Sequence, residues 1–182
     1  MSQRADRRAN GSGAASRRHA ASVLGLVSAA WFLLMMGAAE AASMRQAIAA
    51  FNRQNYMLAA QVFTPYAERG DPTAQAYLGF MYETGRGVPQ NYTDAAMWYR
   101  RAAEQGDSLA QYSLGLLYDR GFGVPQDIVE AGKWLNLATA GAPPRAREAR
   151  ARIRDAVTTK MTRGEIAQAR LKALEWVPKR ER

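Results

Sequence analysis

Apolar positions recur at helical spacing along the middle of the chain. Ala74, Tyr77, Leu78, Met81 and Tyr82 fall at i, i+3, i+4, i+7 and i+8, which is one face of an α-helix. Asp71 precedes them as an N-cap, and Pro72 takes the first helical position, where its missing N–H costs nothing. Gly85 and Gly87 end the run, and Pro89 keeps the chain extended until the next cap. Ala95, Trp98, Tyr99, Ala102 and Ala103 then form a second apolar face, opened by Asn91 with Asp94 at capping-box spacing and closed by Gly106. The stretch therefore predicts two helices joined by a glycine-containing loop.

The same pattern returns 36 positions later. Ala74, Gln75, Leu78, Gly79 and Tyr82 superpose on Ala110, Gln111, Leu114, Gly115 and Tyr118. Gly85, Gly87, Val88, Pro89 and Gln90 fall on Gly121, Gly123, Val124, Pro125 and Gln126, and Ala95, Trp98 and Ala102 on Ala131, Trp134 and Ala138. Asp127 with Glu130 gives the capping box in full form. The shift also works backwards, from Asn91 and Tyr92 to Asn55 and Tyr56. A period of this length means stacked supersecondary units, none of which buries its apolar side alone. Large residues alternate with Ala and Gly on the predicted faces. A glycine inside a helix costs about 1 kcal/mol against alanine, so Gly79 and Gly115 at equivalent positions imply close helix approach.

The flanks read as caps. Ala47, Ile48, Phe51, Met57, Ala60 and Phe63 supply the apolar positions of an opening helix pair with a turn at Asn52–Asn55. Beyond Pro143-Pro144 a basic helical segment runs from Arg145 to about Thr158. Thr162 and Glu165 make a capping box ahead of a final helix, Ile166 to Val177, with Ile166, Ala169, Ala173 and Val177 as its stripe. Residues 178–182, PKRER, are expected to fray. One irregularity stands out. Trp134 to Gly141 is a residue shorter than Trp98 to Gly106, so the second unit's last helix either ends early or is already a capping element.

The pattern A-Q-x-x-L-G-x-x-Y-x-x-G-x-G-V-P-Q-[ND]-x-x-x-A-x-x-W resembles the Sel-one-like repeat (SLR) family, relatives of the tetratricopeptide repeats, over about residues 55–141. The closing segment RDAVTTKMTRGEIAQARLKALEW is similar to that of small exported bacterial members. The resemblance implies a right-handed α-solenoid that serves as a scaffold for protein–protein contacts and has no activity of its own. With no cysteine, the chain departs from the disulfide-linked branch of the family. The expectation is an all-α fold: antiparallel helix pairs stacked as repeats over 71–106 and 107–142, an N-terminal capping pair over 42–70, and basic capping helices over 143–182.

The first 41 residues read differently. Arg4, Arg7, Arg8, Arg17 and Arg18 precede an uncharged run from Ala20 to Ala39, and Ala39-Glu40-Ala41 is a small-x-small cleavage pattern. This is the layout of a secretory signal. An uncleaved anchor in the inner membrane is the other reading, because the run is long enough to span a bilayer. Either places the repeats outside the cytoplasm, in the periplasm or cell envelope.

Composition then narrows the chemistry. The only histidine, His19, lies in the predicted signal, so the exported part holds neither His nor Cys. Ser-His-Asp and Cys-His sites are thereby excluded, as are the usual zinc and haem ligand sets. Glu68, Asp71, Asp94, Glu104 and Asp107 stand at predicted helix ends, where capping and the helix dipole account for them. The G-x-G-V-P-Q loop lacks the third glycine and preceding strand of a dinucleotide site. No enzyme and no cofactor are expected. The charge of +9 is uneven. Residues 42–142 carry eight basic and nine acidic side chains, whereas twelve basic and five acidic follow Pro143. The basic end is either a solvated face or a contact for an acidic partner protein, an anionic membrane or a cell-wall polymer. Nucleic acid is the least expected partner of an exported chain.

Most aromatic residues fall on the core stripes. Tyr92 and Tyr112 fall off them, and with Arg100 and Arg101 they are the candidate partner-binding residues, since contact hot spots favour Tyr and Arg. The functional expectation is an exported, non-enzymatic scaffold that binds protein through a solenoid groove. The alternative is an envelope module held to peptidoglycan or an anionic surface by its basic end.

Overall fold

Five helices begin at carboxylate or carboxamide caps, the first at Asn55, whose side chain accepts from the Leu58 N–H. The Asp71 side chain accepts from the Ala74 N–H at 2.8 Å and that of Asp107 from the Ala110 N–H at 2.7 Å. Asn91 accepts from the N–H groups of Thr93 and Asp94, and Asp127 from those of Val129 and Glu130. Each cap satisfies donors that a helix leaves unpaired at its start, typically contributing about 1 kcal/mol. Gly85 and Gly121 stop the first helix of each unit at φ 69° and 71°, in the left-handed region that favours glycine.

The computed structural model describes residues 43–179 and 181. The predicted signal or anchor, residues 1–41, lies outside them. Helix α1 covers residues 43–52 of the described part, followed by α2 (Tyr56–Glu68), α3 (Pro72–Thr84), α4 (Tyr92–Glu104), α5 (Ser108–Arg120), α6 (Ile128–Ala140), α7 (Pro144–Thr158) and α8 (Arg163–Leu174). From α2 onward each helix up to α7 packs on the next, α3 also touches α5, and α6 carries both α7 and α8. Among the described residues the fold is an all-helical α-solenoid, and no helix is long and apolar enough to cross a membrane.

The core is a row of linked clusters. Ala47 and Ala50 of α1 join Phe63, Leu78, Met81 and Trp98, with Phe63 and Tyr77 stacked at 4.6 Å. Tyr99, Leu114, Leu117 and Trp134 make the next cluster, and Leu135 joins Val157 of α7 in the third. Trp98 and Trp134 are 9% and 3% exposed, each packed into the cluster that precedes the next turn of the array. Burial of side chains such as Phe63 and Leu114 contributes about 1.5–3 kcal/mol each.

Glycine sets the spacing between helices, as the periodic pattern implied. A Cβ on Gly79 would stand 2.6 Å from the Tyr99 ring, and one on Gly115 would stand 2.9 Å from Leu135 Cγ. The second loop glycine seats each unit on its predecessor. Gly87 lies against the backbone of Tyr56, and Gly123 lies against that of Tyr92, where an added Cβ would be 2.0 Å from the carbonyl oxygen.

Four details differ from the sequence reading. Helix α6 has the same 13 residues as α4, so no residue is missing. Gly141 stands at the position of Gln105 rather than of Gly106, and Pro143 replaces the Asp71/Asp107 cap without a side-chain bond. Next, Glu130 does not close a capping box. The Asp127 N–H donates to the Tyr118 carbonyl instead, leaving the Glu130 carboxylate free to accept from Lys172 of α8 at 2.7 Å and Lys133 at 3.3 Å. In addition, α8 ends at Leu174, and Val177 is exposed rather than part of its stripe. The predicted box of Thr162 and Glu165 is present, and Ala169 packs against Gly132. Met57, expected in the apolar face of α2, is 67% exposed.

Candidate functional site

Gly70 and Gly106 occupy equivalent turns, one period apart, at φ 93° and 98°. Both leave bare backbone at the C-terminal ends of α2 and α4. Around the first turn a polar cluster is built from α3 and α4. The Gln75 side chain, fully buried, donates to the Ala67 carbonyl at 3.0 Å. Gln111 repeats that bond in the next unit, to Ala103 at 3.2 Å, so this part of the role of Gln75 is structural. Gln105 Nε2 donates to the Gly70 carbonyl at 2.8 Å and to Gln75 Oε1 at 2.9 Å. The Arg101 guanidinium lies 4.8 Å from the Trp98 ring centre, a cation–π contact that holds its plane in place.

A segment that follows α8 fills this site. Trp176 meets Trp134 edge to face at 6.4 Å and lies beside Gly106. The Lys179 N–H donates to the Glu104 carbonyl at 2.8 Å, taking one of the acceptors that α4 leaves open at its end. Glu181 then reaches Arg101 with both oxygens, Nε to Oε1 at 2.9 Å and Nη2 to Oε2 at 2.5 Å, and its Oε2 accepts from Gln75 at 2.9 Å. Gly70 makes room for it, since a Cβ there would be 2.9 Å from Glu181 Cβ. Hydrogen bonding from Arg101 holds the Glu181 carboxyl below its ordinary range, and the same bond raises Arg101. The expected fraying of 178–182 is thus not what Lys179 and Glu181 do: each has a specific acceptor or donor on α3 or α4.

The four candidate contact residues are spread over the molecule. Arg101 is the one in this cluster. Arg100, on the neighbouring strip of α4, donates to the Tyr118 hydroxyl at 2.6 Å. Tyr92 is half-buried against Phe122 at 4.8 Å, under the loop of the following unit. Tyr112 faces Arg150 of α7, whose guanidinium is 5.8 Å from the ring centre. Gln75, Gln105, Trp176 and Glu181 were not singled out from the sequence. A signal was present for part of the set. Arg101 and Gln105 sit where the second unit has Leu137 and Gly141, and departures between two near-copies mark positions with an added task.

The basic end is partly used up in docking. Lys172 reaches Glu130 of α6 and Lys160 reaches Asp119 of α5 at 2.8 Å. Burial pushes Glu130 upward, but Lys172 and Lys133 outweigh it and hold the carboxyl below its ordinary value. Arg150 is drawn inward to donate to the carbonyls of Ser108 and Ala138, and burial lowers its pKa. Arg145, Arg152, Arg163 and Arg170 remain exposed. Burial pushes the Tyr99 hydroxyl well up, and it donates to Glu83 at 2.8 Å. Among the described residues no group of three or more His, Cys, Asp or Glu side chains could hold a metal ion.

Comparison with known proteins agrees with this geometry. The Sel1 repeat profile matches residues 72–107 and 108–141. No curated protein matches the chain. Among solved structures, the chain is similar to a protective antigen of uropathogenic Escherichia coli that displays an SLR fold. The two share 30% identity over 75% of this chain and 29% of that one, with a TM-score of 0.68. The chain therefore spans under a third of the antigen's length. It is also similar to a Sel1 repeat protein from Oxalobacter formigenes, at 38% identity over 60% of this chain and 86% of that one, with a TM-score of 0.53.

Proposed function

Because the chain belongs to the Sel1 repeat family, whose members generally act as non-catalytic scaffolds that bind other proteins, we propose that it is an exported adaptor whose solenoid groove engages a protein partner. The observation that carries this reading is the Arg101–Gln75–Gln105 cluster. It holds a segment of polypeptide by a two-pronged contact from Arg101 to the Glu181 carboxylate, beside the bond from the Lys179 N–H to the Glu104 carbonyl. Those are the interactions by which a rigid surface takes up a flexible chain. Export rests on the arginine-rich, then apolar, then Ala39-Glu40-Ala41 layout of the first 41 residues.

Photo-crosslinking tests the adaptor reading. A crosslinker replacing Gln105 is expected to trap one envelope protein, and the purified pair should reproduce the crosslink. Crosslinks from Arg152 on α7 alone would move the contact to the basic end. Mass spectrometry of the mature chain is expected to find Ala42 as its first residue, and an intact N-terminus would replace the cleaved signal by a membrane anchor.

The exposed arginines of the cap support a second reading, an envelope module on an anionic membrane or cell-wall polymer. Retention on anionic vesicles or purified peptidoglycan that falls steeply with added salt, and that is lost when Arg145, Arg152, Arg163 and Arg170 are replaced by glutamine, would favour it.

A further inference from the structure

Trp176 and Glu181 occupy equivalent turns of neighbouring units. Trp176 lies at Gly106 and Glu181 at Gly70, one repeat period apart along the scaffold. The two anchors, an aromatic ring and a carboxylate, stand five positions apart in the sequence. Between the anchors Val177, Pro178 and Lys179 are exposed, and Pro178 has no N–H to offer. Among its described residues, Trp176 and Glu181 anchor the strap, and the N–H groups of Lys179 and Glu181 donate to Glu104 and Gln105.

Its fit is incomplete. Val177 is 69% exposed, so the strap leaves this apolar side chain in water. The Arg101–Glu181 pair is part-exposed on both sides, where ion pairs contribute little. The indole N–H of Trp134, the ring that Trp176 covers, is buried with no acceptor. An unmade hydrogen bond of this kind is a standing cost that another occupant could relieve by offering a carbonyl. Segments held by so few contacts open locally without unfolding the rest.

We infer that the groove of Gly70, Gln75, Arg101, Gln105 and the Trp134–Gly106 shelf receives a protein segment carrying an aromatic residue and, five positions on, a carboxylate, and that Trp176, Lys179 and Glu181 are the resident groups such a segment displaces. The chain's own strap defines the ligand class, because it shows which groups the cluster accepts and at what spacing. This rests on the adaptor reading and names the chemistry of its partner.

The test uses the full chain and a fluorescent peptide of residues 174–182. The variant Trp176→Ala/Glu181→Gln empties the groove and is expected to bind the peptide saturably, about tenfold more tightly than wild type, whose groove is open only a fraction of the time. Adding Arg101→Glu to that variant should abolish binding. Glu181→Gln alone, which disturbs no packing, should bind with intermediate affinity. Circular dichroism must show wild-type helix content in each. A folded double variant that binds the peptide no better than wild type overturns the inference, as does binding indifferent to Arg101→Glu. If wild type sediments as a dimer and the double variant as a monomer, the resident belongs to a second copy, and displacement within one chain is likewise overturned. Loss of the exchange while Gln105 crosslinks persist would leave the adaptor standing, whereas loss of those crosslinks with peptide exchange intact would remove the adaptor alone.

Discussion

Helices α4 and α6 are equivalent elements of the same length, yet their ends carry different chemistry. The first presents Arg101 and Gln105 where the second presents Leu137 and Gly141. Leu137 packs into the second core cluster, and the turn beyond it leads into the proline-started α7. Arg101 instead lies across Trp98 and holds Glu181. The backbone period is thus kept by the shared Ala, Gly and Trp positions, while the unshared ones decide whether the end of a unit receives a chain or a cap. A repeat array can change its ligand surface this way without disturbing its helix spacing.

The loop seats offer the largest break in this equivalence. Gly123→Ala should destabilise the fold by about 3 kcal/mol, since it combines strain at positive φ with a Cβ driven into the Tyr92 carbonyl. Gly87→Ala meets the Tyr56 backbone at 2.5 Å and should cost somewhat less. Urea midpoints of the two variants measure the difference. Equal midpoints would mean that the two seats relax alike. The helix–helix contacts come next. Gly79→Ala would press on three atoms of the Tyr99 ring, which is tied to Glu83, and should cost about 2 kcal/mol after the gain in helix propensity. Gly115→Ala meets Leu135 Cγ at 2.9 Å and the Ala131 carbonyl at 3.2 Å, so about 1 kcal/mol is expected.

Gly79 and Gly115 were legible because close packing forces one residue type at a fixed period, whereas Gly87 and Gly123 read only as helix ends, their seats on Tyr56 and Tyr92 lying across units. The caps at Asp71, Asn91, Asp107 and Asp127 were legible for a similar reason, since local bonds depend on neighbours in sequence. Glu130 shows the limit of such reasoning. Its spacing from Asp127 is that of a capping box, but a lysine 42 positions away offers a stronger partner. The strap lay further beyond reach. PKRER has the composition of a frayed end, and only the folded array brings Arg101 and Gln75 to Glu181. The departure of Arg101 and Gln105 from their second-unit counterparts was visible throughout, although its meaning required the turn at Gly70.

Copying the second unit onto the first sharpens the comparison with a smaller effect. Arg101→Leu should change global stability by only about 0–1 kcal/mol, the usual size for a part-exposed ion pair, while freeing the strap. Hydrogen exchange at Lys179 reads this directly. Its amide should lose protection in the variant and keep it in wild type, and unchanged protection would assign the strap's hold to Trp176 alone.

Acid should produce the same release more gently. Because Arg101 holds the folded pKa of Glu181 below its ordinary value of 4.5, the carboxylate contributes stability that is fully present above that value and is lost as pH falls through the folded pKa. Arg101 stays charged throughout, since its own pKa is raised. The Trp176 indole resonance should therefore shift toward its free position only below about pH 4.5. Glu130 titrates in the same acid range, with its pKa also lowered, but it ties α8 to α6 and should move the Trp134 and Ala169 signals instead. Glu181→Gln separates the two. It should leave the Glu130 transition in place and remove that of Trp176, because glutamine has no charge to lose. A Trp176 transition that survives Glu181→Gln would show that the strap responds to the docking of α8 and not to its own carboxylate.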